Sequence, residues 1–218
     1  MYPPNKPGYN FDGWYTDSNY SNKINRIEAG TIGDLMFYAK WVKNQVIMVS
    51  NTFTKIYGTS PFSLGAKAHG KLTYSSSNNK IATVNIAGKV TIKSTGKVTI
   101  TIKADATNLY NVATAQVTIT VKPKAMTLNS VKPSSKGKIV VKWKKDTTIA
   151  GYEITYAKNS KFTSGKGKVY ISKKSKVKQS LTKLKSGKTY YVRIRSYVKI
   201  DGKKVYGAYS EIKSVTVK

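Results

Sequence analysis

From residue 45 to the C-terminus, apolar and polar residues alternate in short runs that glycine- or serine-rich turns separate. The stretch GKVTIKSTGKVTITIKA (88–104) shows the pattern, with Val or Ile at every second position of each run. Because successive side chains of a β-strand point to opposite faces, this period of two predicts strands with one buried face. No segment here keeps a 3.6-residue period, so we expect an all-β fold of the sandwich type.

The alternation also predicts which residues form the cores. We expect the following side chains to point inward: Leu72, Tyr74, Val90, Ile92, Val98, Ile100, Ile102, Val117, Ile119, Val121, Ile139, Val141, Trp143, Tyr152, Ile154, Tyr156, Tyr190, Val192 and Ile194. The stretches KWVKNQ and VKPKAMT are typical of short linkers between modules. They predict three consecutive modules whose motion relative to one another is limited. The predicted boundaries are 1–43, 44–122 and 123–218.

Charge is spread unevenly along the chain. The 218 residues carry 39 basic and 9 acidic side chains, a net charge of +30, of which residues 123–218 carry +21. Such asymmetry suggests binding to nucleic acid or another polyanion. However, 36 of the basic residues are lysines, whereas base recognition favours arginine, and no RNA-binding aromatic motif occurs. Outward lysines also keep exposed sheets soluble, so a solvated surface is the other interpretation.

Enzymatic machinery is nearly absent from the sequence. There is no cysteine, and the single histidine, His69, has no carboxylate within three residues and precedes a glycine, so we expect a surface turn residue. Asp12 and Asp17 are the close acidic pair of the N-terminal motif, but Asp12 precedes Gly13 and is expected to form a turn. We therefore predict no enzyme, no metal site and no cofactor.

The stretch NKPGYNFDGWYTD (5–17) places four aromatic rings and two glycines within thirteen residues. These rings are either a sugar-binding cluster or the core of a small module. We favour the core, because a small domain needs large rings to bury enough surface. The expected core positions are Tyr9, Phe11, Trp14 and Trp41, and Gly8 and Gly13 are expected to serve turns. On the sugar-binding interpretation, Tyr15 and Tyr20 are the exposed candidates.

Three resemblances cover nearly the whole chain. The first segment resembles the Listeria–Bacteroides repeat, which is an internalin B-repeat-like family, through the stretches PGYNFDGWYTD (7–17) and LMFYAKW (35–41). This resemblance implies a β-grasp-like module that is truncated at its N-terminal side. LTYSSSNNKIATVNIAGKVTI (72–92) is similar to bacterial immunoglobulin-like domains of group 2 or a near relative. The third segment resembles a fibronectin type III domain through Trp143, Tyr152 and the stretch LKSGKTYYVRIRSY (184–197). In that domain Leu184 and Tyr190 would form the tyrosine corner.

The resemblances imply an all-β fragment of a multi-module surface protein from a Gram-positive bacterium: a partial β-grasp-like repeat followed by two tandem immunoglobulin-like β-sandwiches. We expect a non-catalytic stalk or adhesion region that spaces and presents a distal domain. We expect it to be a monomer, to lie outside the cell at the cell surface or cell wall, and not to insert into the membrane. Two alternatives remain open: accessory modules of a secreted glycan-degrading enzyme, or a binder of acidic polymers such as teichoic acid, glycosaminoglycan or mucin glycan. The predicted polyanion-binding residues are Lys142, Lys144, Lys173, Lys174, Arg193 and Arg195.

Overall fold

The computed structural model describes residues 5–218, so the first four residues of the predicted 1–43 module lie outside it. Throughout the described residues every regular element is a β-strand, and the predicted all-β fold class is confirmed. None of the described residues forms a helix long and apolar enough to span a membrane. Three structural units follow one another along the chain, and we call them the N-terminal sheet, the middle sandwich and the C-terminal sandwich.

The N-terminal sheet has three antiparallel strands in the order β2-β1-β3. They are β1 (Asn10–Tyr15), β2 (Lys23–Ile24) and β3 (Tyr38–Val42). The pairing of β1 with β3 shifts register between Phe11 and Gly13, which is a β-bulge. The prediction that Gly13 serves a turn was wrong, because it lies inside β1 at this bulge.

The middle sandwich packs a four-stranded sheet, in the order β4-β10-β9-β6, against a three-stranded sheet in the order β5-β8-β7. Strand β10 pairs antiparallel with β9 but parallel with β4, so the first and last strands of the unit are neighbours. The strands are β4 (Thr52–Ile56), β5 (Phe62–Ser63), β6 (Leu72–Ser76), β7 (Ala82–Val84), β8 (Lys89–Ile92), β9 (Gly96–Ala104) and β10 (Ala113–Lys122).

The predicted inward residues form the core of the middle sandwich. The buried hydrophobic cluster contains the alternating residues of β8, β9 and β10, namely Val90, Val98, Ile100, Ile102, Val117, Ile119 and Val121. Leu72, Tyr74 and Ile92 are half-buried and pack against the rim of this cluster. The period-two interpretation is therefore correct for the central strands.

The C-terminal sandwich packs a three-stranded sheet, in the order β11-β12-β15, against a sheet in the order β14-β13-β16-β17. Strand β16 is long enough to pair with β17 at its C-terminal half and with β18 at its N-terminal half. The strands are β11 (Leu128–Pro133), β12 (Ile139–Trp143), β13 (Gly151–Ala157), β14 (Gly167–Ile171), β15 (Lys178–Leu181), β16 (Thr189–Ile200), β17 (Lys203–Tyr206) and β18 (Lys213–Thr216).

The core of the C-terminal sandwich contains Trp143, which is 2% exposed and packs edge-on against Tyr152 with 5.3 Å between ring centroids. Tyr190 and Leu184 are buried in the same cluster. The Tyr190 hydroxyl accepts a hydrogen bond from the Lys185 backbone N–H at 3.2 Å. This contact to the backbone just upstream is the geometry of a tyrosine corner, as the resemblance implied.

Candidate functional site

The structure places the six predicted polyanion-binding residues in three separate locations. Lys142 lies on β12, and Lys144 follows just beyond its end. Lys173 and Lys174 are exposed in the turn between β14 and β15, where the Lys174 ammonium donates a hydrogen bond to the Thr147 carbonyl at 3.2 Å. Arg193 and Arg195 lie on β16, in the opposite sheet of the sandwich. The six residues therefore do not converge on one surface.

The two arginines are stacked between aromatic rings. The Cζ atom of Arg193 lies 4.0 Å from the ring centroid of Phe162 and 3.8 Å from that of Tyr209. The Cζ atom of Arg195 lies 3.8 Å from the ring centroid of Tyr206 and 4.5 Å from that of Tyr209. We call these five alternating side chains the arginine ladder. Guanidinium groups stack favourably on aromatic faces, so the ladder holds both arginines in place.

Arg195 also neutralises the buried carboxylate of Glu153, which has no exposed surface. The Glu153 Oε1 atom accepts hydrogen bonds from Arg195 Nε at 2.9 Å and from the Tyr209 hydroxyl at 2.7 Å. Burial raises the pKa of Glu153, but these hydrogen bonds and the charges of Arg195 and Lys168 outweigh burial and lower the pKa to about 2. The carboxylate is therefore ionised at neutral pH.

Arg193 and Arg195 do not point freely into water. They lie on the face of β16 away from the hydrophobic core, but the arginine ladder and Glu153 cover them, and the Arg195 side chain is only 22% exposed. Sequence reasoning missed this because Tyr206 and Tyr209 follow a hairpin turn, at Asp201 and Gly202, that brings them back over the sheet. The arrangement gives the arginines a structural role, and their predicted polyanion binding stays a prediction.

The outer face of the three-stranded sheet carries lysines of a different kind. Lys142 on β12 lies directly opposite Lys178 on β15. Lys132 on β11 lies opposite Val140, which precedes Lys142 by two residues on the same face of β12. All three lysines are exposed. Among the described residues none of them has a carboxylate oxygen within 4.0 Å. We call Lys132, Lys142 and Lys178 the lysine face.

In the N-terminal sheet, the aromatic rings that were expected to form a core do pack together, but they are not fully buried. Phe11 packs edge-on against Trp14 and Trp41, with centroid distances of 5.5 and 5.4 Å. The three rings form a packed cluster, but each stays half-buried. Tyr9 is also half-buried. Its ring makes cation–π contacts with the ammonium groups of Lys6 and Lys43, which lie 4.5 and 5.1 Å from the ring centroid.

On the other face of this sheet Tyr15 is buried, so its selection as an exposed sugar-binding candidate was wrong, whereas Tyr20 is 41% exposed. The Tyr15 hydroxyl donates to Asp12 Oδ2 at 2.7 Å, and the Lys40 ammonium lies 3.3 Å from the same oxygen. The hydrogen bond to Asp12, followed by burial, raises the pKa of Tyr15 to about 12. Asp12 is thus a partner of Tyr15 and Lys40, and not the turn former that the sequence suggested.

The carboxylate of Asp17 caps the turn after β1 by accepting the backbone N–H groups of Asn19, Ser21 and Asn22. These bonds lower the pKa of Asp17. Both acids of the predicted pair therefore hold local structure. Residues 5–218 contain no group of three or more His, Cys, Asp or Glu side chains that could hold a metal ion.

The junction between the N-terminal sheet and the middle sandwich is hydrogen-bonded. The backbone of Lys43 forms a parallel bridge with Tyr110. The Asn44 Oδ1 atom accepts from Asn10 at 2.6 Å on one side and from Asn111 at 3.3 Å on the other. These contacts join β1, the linker and a loop of the middle sandwich.

Gln45, the next residue, is buried and makes four hydrogen bonds. Its Nε2 donates to the carbonyls of Asp105 at 2.9 Å and Asn111 at 2.6 Å, and its Oε1 accepts the N–H groups of His69 and Gly70, each at 3.1 Å. His69 is exposed at a bend, as predicted, and its ring stacks on Tyr110 at 3.9 Å.

The two sandwiches contact each other directly, and a cleft lies at their junction. The Lys97 ammonium pairs with Asp201 at 2.8 Å, and the Thr95 hydroxyl donates to the Thr148 carbonyl. A Cβ atom on Gly207 would lie 2.6 Å from the Pro123 carbonyl, so the linker packs closely against the C-terminal sandwich. The cleft itself has a volume of about 250 Å³, and its lining includes Tyr57, Lys124, Lys144, Lys145 and Thr148.

Comparison with known families confirms two of the predicted resemblances. Residues 1–40 match the model of the Listeria-Bacteroides repeat domain. Residues 64–107 match the model of the intimin immunoglobulin-like domain, which is a bacterial immunoglobulin-like family. Modules of these two families are typical of extracellular or cell-surface proteins, and they are generally non-catalytic. The comparison with curated proteins gives no match.

Solved structures similar to this chain include fibronectin domains. The crystal structure of the chicken CNTN1 FN1-FN3 domains has a TM-score of 0.39 and 21% identity, and the match covers 62% of this chain. This chain spans 47% of that structure's length. The FN5 domain of Drosophila Lar has a TM-score of 0.35 and 20% identity over 44% of this chain and 96% of that domain. Two segments of the chain are thus similar to a Listeria-Bacteroides repeat and to an intimin-type immunoglobulin-like domain.

Proposed function

We propose that this chain is a non-catalytic stalk region of a secreted or wall-associated bacterial surface protein, and that it spaces and presents a distal domain. The observation that carries the proposal is the hydrogen bonding of both junctions, at Asn44 and Gln45 and at Lys97 and Asp201. A stalk works by transmitting position and force, so its modules must not swing freely. The two family matches support a place outside the cell.

The test is whether the units tumble as one body. Amide ¹⁵N relaxation of the full chain is expected to fit one anisotropic diffusion tensor for all three units. The control is a variant with ten Gly/Ser residues inserted between Lys122 and Pro123, which frees the second junction and is expected to give the C-terminal sandwich a shorter correlation time of its own. Separate correlation times in the native chain, matching those of the insertion variant, would contradict the stalk.

A second candidate function is capture of an acidic polymer by the C-terminal sandwich. The observation in its favour is the net charge of +21 on residues 123–218, where 25 basic side chains stand against four acidic ones. Of the four acids there, Glu153 is buried against Arg195 and Asp201 pairs with Lys97. Binding of purified lipoteichoic acid to the full chain across a salt series tests this candidate, because counterion release makes the affinity fall steeply with salt.

A further inference from the structure

We propose that the lysine face, formed by Lys132, Lys142 and Lys178, is the surface on which the chain binds a linear phosphodiester polymer of the cell wall, a polyol phosphate chain of the teichoic acid type. The inference rests on the second candidate function and assigns it a surface. It moves the site away from Arg193 and Arg195, which are held in the arginine ladder.

The register of the sheet places two of the three lysines directly opposite each other and the third, Lys132, diagonal to Lys142 on the same face. Val141 and Ile139 point into the core, so their neighbours on β12, Val140 and Lys142, point outward. Lys142 is directly opposite Lys178, and residues directly opposite on antiparallel strands have Cβ atoms about 4.5–5.5 Å apart. Like charges in that position destabilise a sheet. An arrangement that is unfavourable within the chain becomes favourable when an anion lies over it.

The chain supplies no anion of its own to this face. Among the described residues, no carboxylate lies within 4.0 Å of the three ammonium groups, and none of the side-chain hydrogen bonds involves them. By contrast, the nearby Lys174 and Lys176 donate to Thr147 and Gln179. The lysine face is therefore neutralised by solvent ions, which a bound polyanion would release.

The other residues of the face narrow the class of polymer. Between the lysines lie Ser130, Val140 and Ser180, and no aromatic ring is among them. Single-stranded nucleic acid binds sheets through aromatic platforms on which bases stack. Lysine recognises phosphate as a point charge that tolerates many geometries. A face with lysine and no ring therefore fits a flexible polymer whose charges are backbone phosphates.

The experiment measures binding of purified polyglycerol-phosphate lipoteichoic acid to the full 218-residue chain by isothermal titration calorimetry between 50 and 300 mM salt, conditions chosen around the physiological range. The test variant is Lys132→Gln/Lys142→Gln/Lys178→Gln. The matched control is Lys199→Gln/Lys203→Gln/Lys213→Gln, which removes the same charge from exposed lysines of the opposite sheet. Near-UV circular dichroism and melting verify that both variants fold.

We expect the test variant to bind at least tenfold more weakly, with the slope of log affinity against log salt smaller by about 2, since each lost phosphate contact removes roughly 0.7. The control is expected to lose less than threefold. The test variant should melt at the same or a higher temperature, because an opposed like-charge pair has been removed.

Equal weakening by both variants would overturn the assignment of the face while leaving acidic-polymer capture in place. Failure of the native chain to bind near physiological salt would overturn both. Heparin, or single-stranded DNA of matched charge, binding as tightly as lipoteichoic acid would overturn the choice of a polyol phosphate polymer.

Discussion

Arg195 and Glu153 form an ion pair across β16 and β13, with 2.9 Å between Nε and Oε1 and a carboxylate that is fully buried. The two residues are directly opposite in the strand register. The Tyr209 hydroxyl donates a hydrogen bond to the same oxygen at 2.7 Å. This pair explains how a strongly basic sandwich keeps the Glu153 carboxylate in its interior: Glu153 anchors the arginine ladder through Arg195 and Tyr209.

Glu153→Gln is expected to lower the free energy of unfolding of the C-terminal sandwich by about 3 kcal/mol at pH 7, because the partly buried Arg195 loses its counter-charge. The folded pKa of about 2 lies below the ordinary value of 4.5. The stabilisation is therefore present above pH 4.5 and lost as the pH falls from 4.5 toward 2. Urea unfolding at several pH values, followed by amide signals of this sandwich, measures both effects.

The control for that prediction is Glu211→Gln, since Glu211 is exposed and has no cation within 4.0 Å among the residues described. It should change stability by less than about 0.5 kcal/mol. If the difference between native and Glu153→Gln chains stayed constant between pH 7 and pH 2, the carboxylate would not be the source of the stabilisation.

Arg193→Glu combined with Arg195→Glu is expected to disrupt the C-terminal sandwich. The change removes both cations from the arginine ladder and places a second carboxylate beside Glu153. Near-UV circular dichroism should be largely lost at 25 °C. The control, Lys199→Glu with Lys213→Glu, makes the same change in net charge at exposed positions and should keep the native spectrum. A native spectrum for the arginine variant would mean that the ladder contributes little.

Gln45→Ala is expected to destabilise the middle sandwich by about 3 kcal/mol, because it leaves the buried Gly70 N–H and nearby carbonyls without partners. It should also give the N-terminal sheet a correlation time of its own in ¹⁵N relaxation. Gln116→Ala, at an exposed position of β10, is the control and should do neither. Unchanged tumbling in Gln45→Ala would show that the Lys43 and Asn44 contacts are sufficient for the junction.

Trp143→Ala is expected to cost the C-terminal sandwich roughly 3–5 kcal/mol through the cavity it leaves beside Tyr152. Calorimetry should show the transition of this sandwich shifted down or lost. Trp14→Ala, in the half-buried cluster of the N-terminal sheet, should leave that transition in place. A native transition after the Trp143 change would contradict its position in the core.

The strands and the residues that fill the sandwich cores could be predicted from the sequence. Alternation is a local property, so runs such as Val98, Ile100 and Ile102 identify their own buried face. The tyrosine corner was likewise predictable from its local motif, because Tyr190 contacts the backbone only five residues upstream. In β1 the exposure of Tyr15 was mispredicted, because Tyr20 and Lys40 cover the face of the sheet opposite Phe11 and Trp14 and bury the Tyr15 ring.

The pattern of amino acids was therefore enough to predict which segments become strands, which side chains fill the two sandwich cores and how much positive charge each region carries. Which of those charges remain free depends on the tertiary fold. Lys142 and Arg195 look alike as outward cations in alternating strands, yet Arg195 meets a carboxylate 42 residues away and rings supplied by the next hairpin. Lys142 instead meets another lysine across the sheet. The difference arises because strand pairing joins residues that are distant in the chain, and charge pairing depends on distance in space.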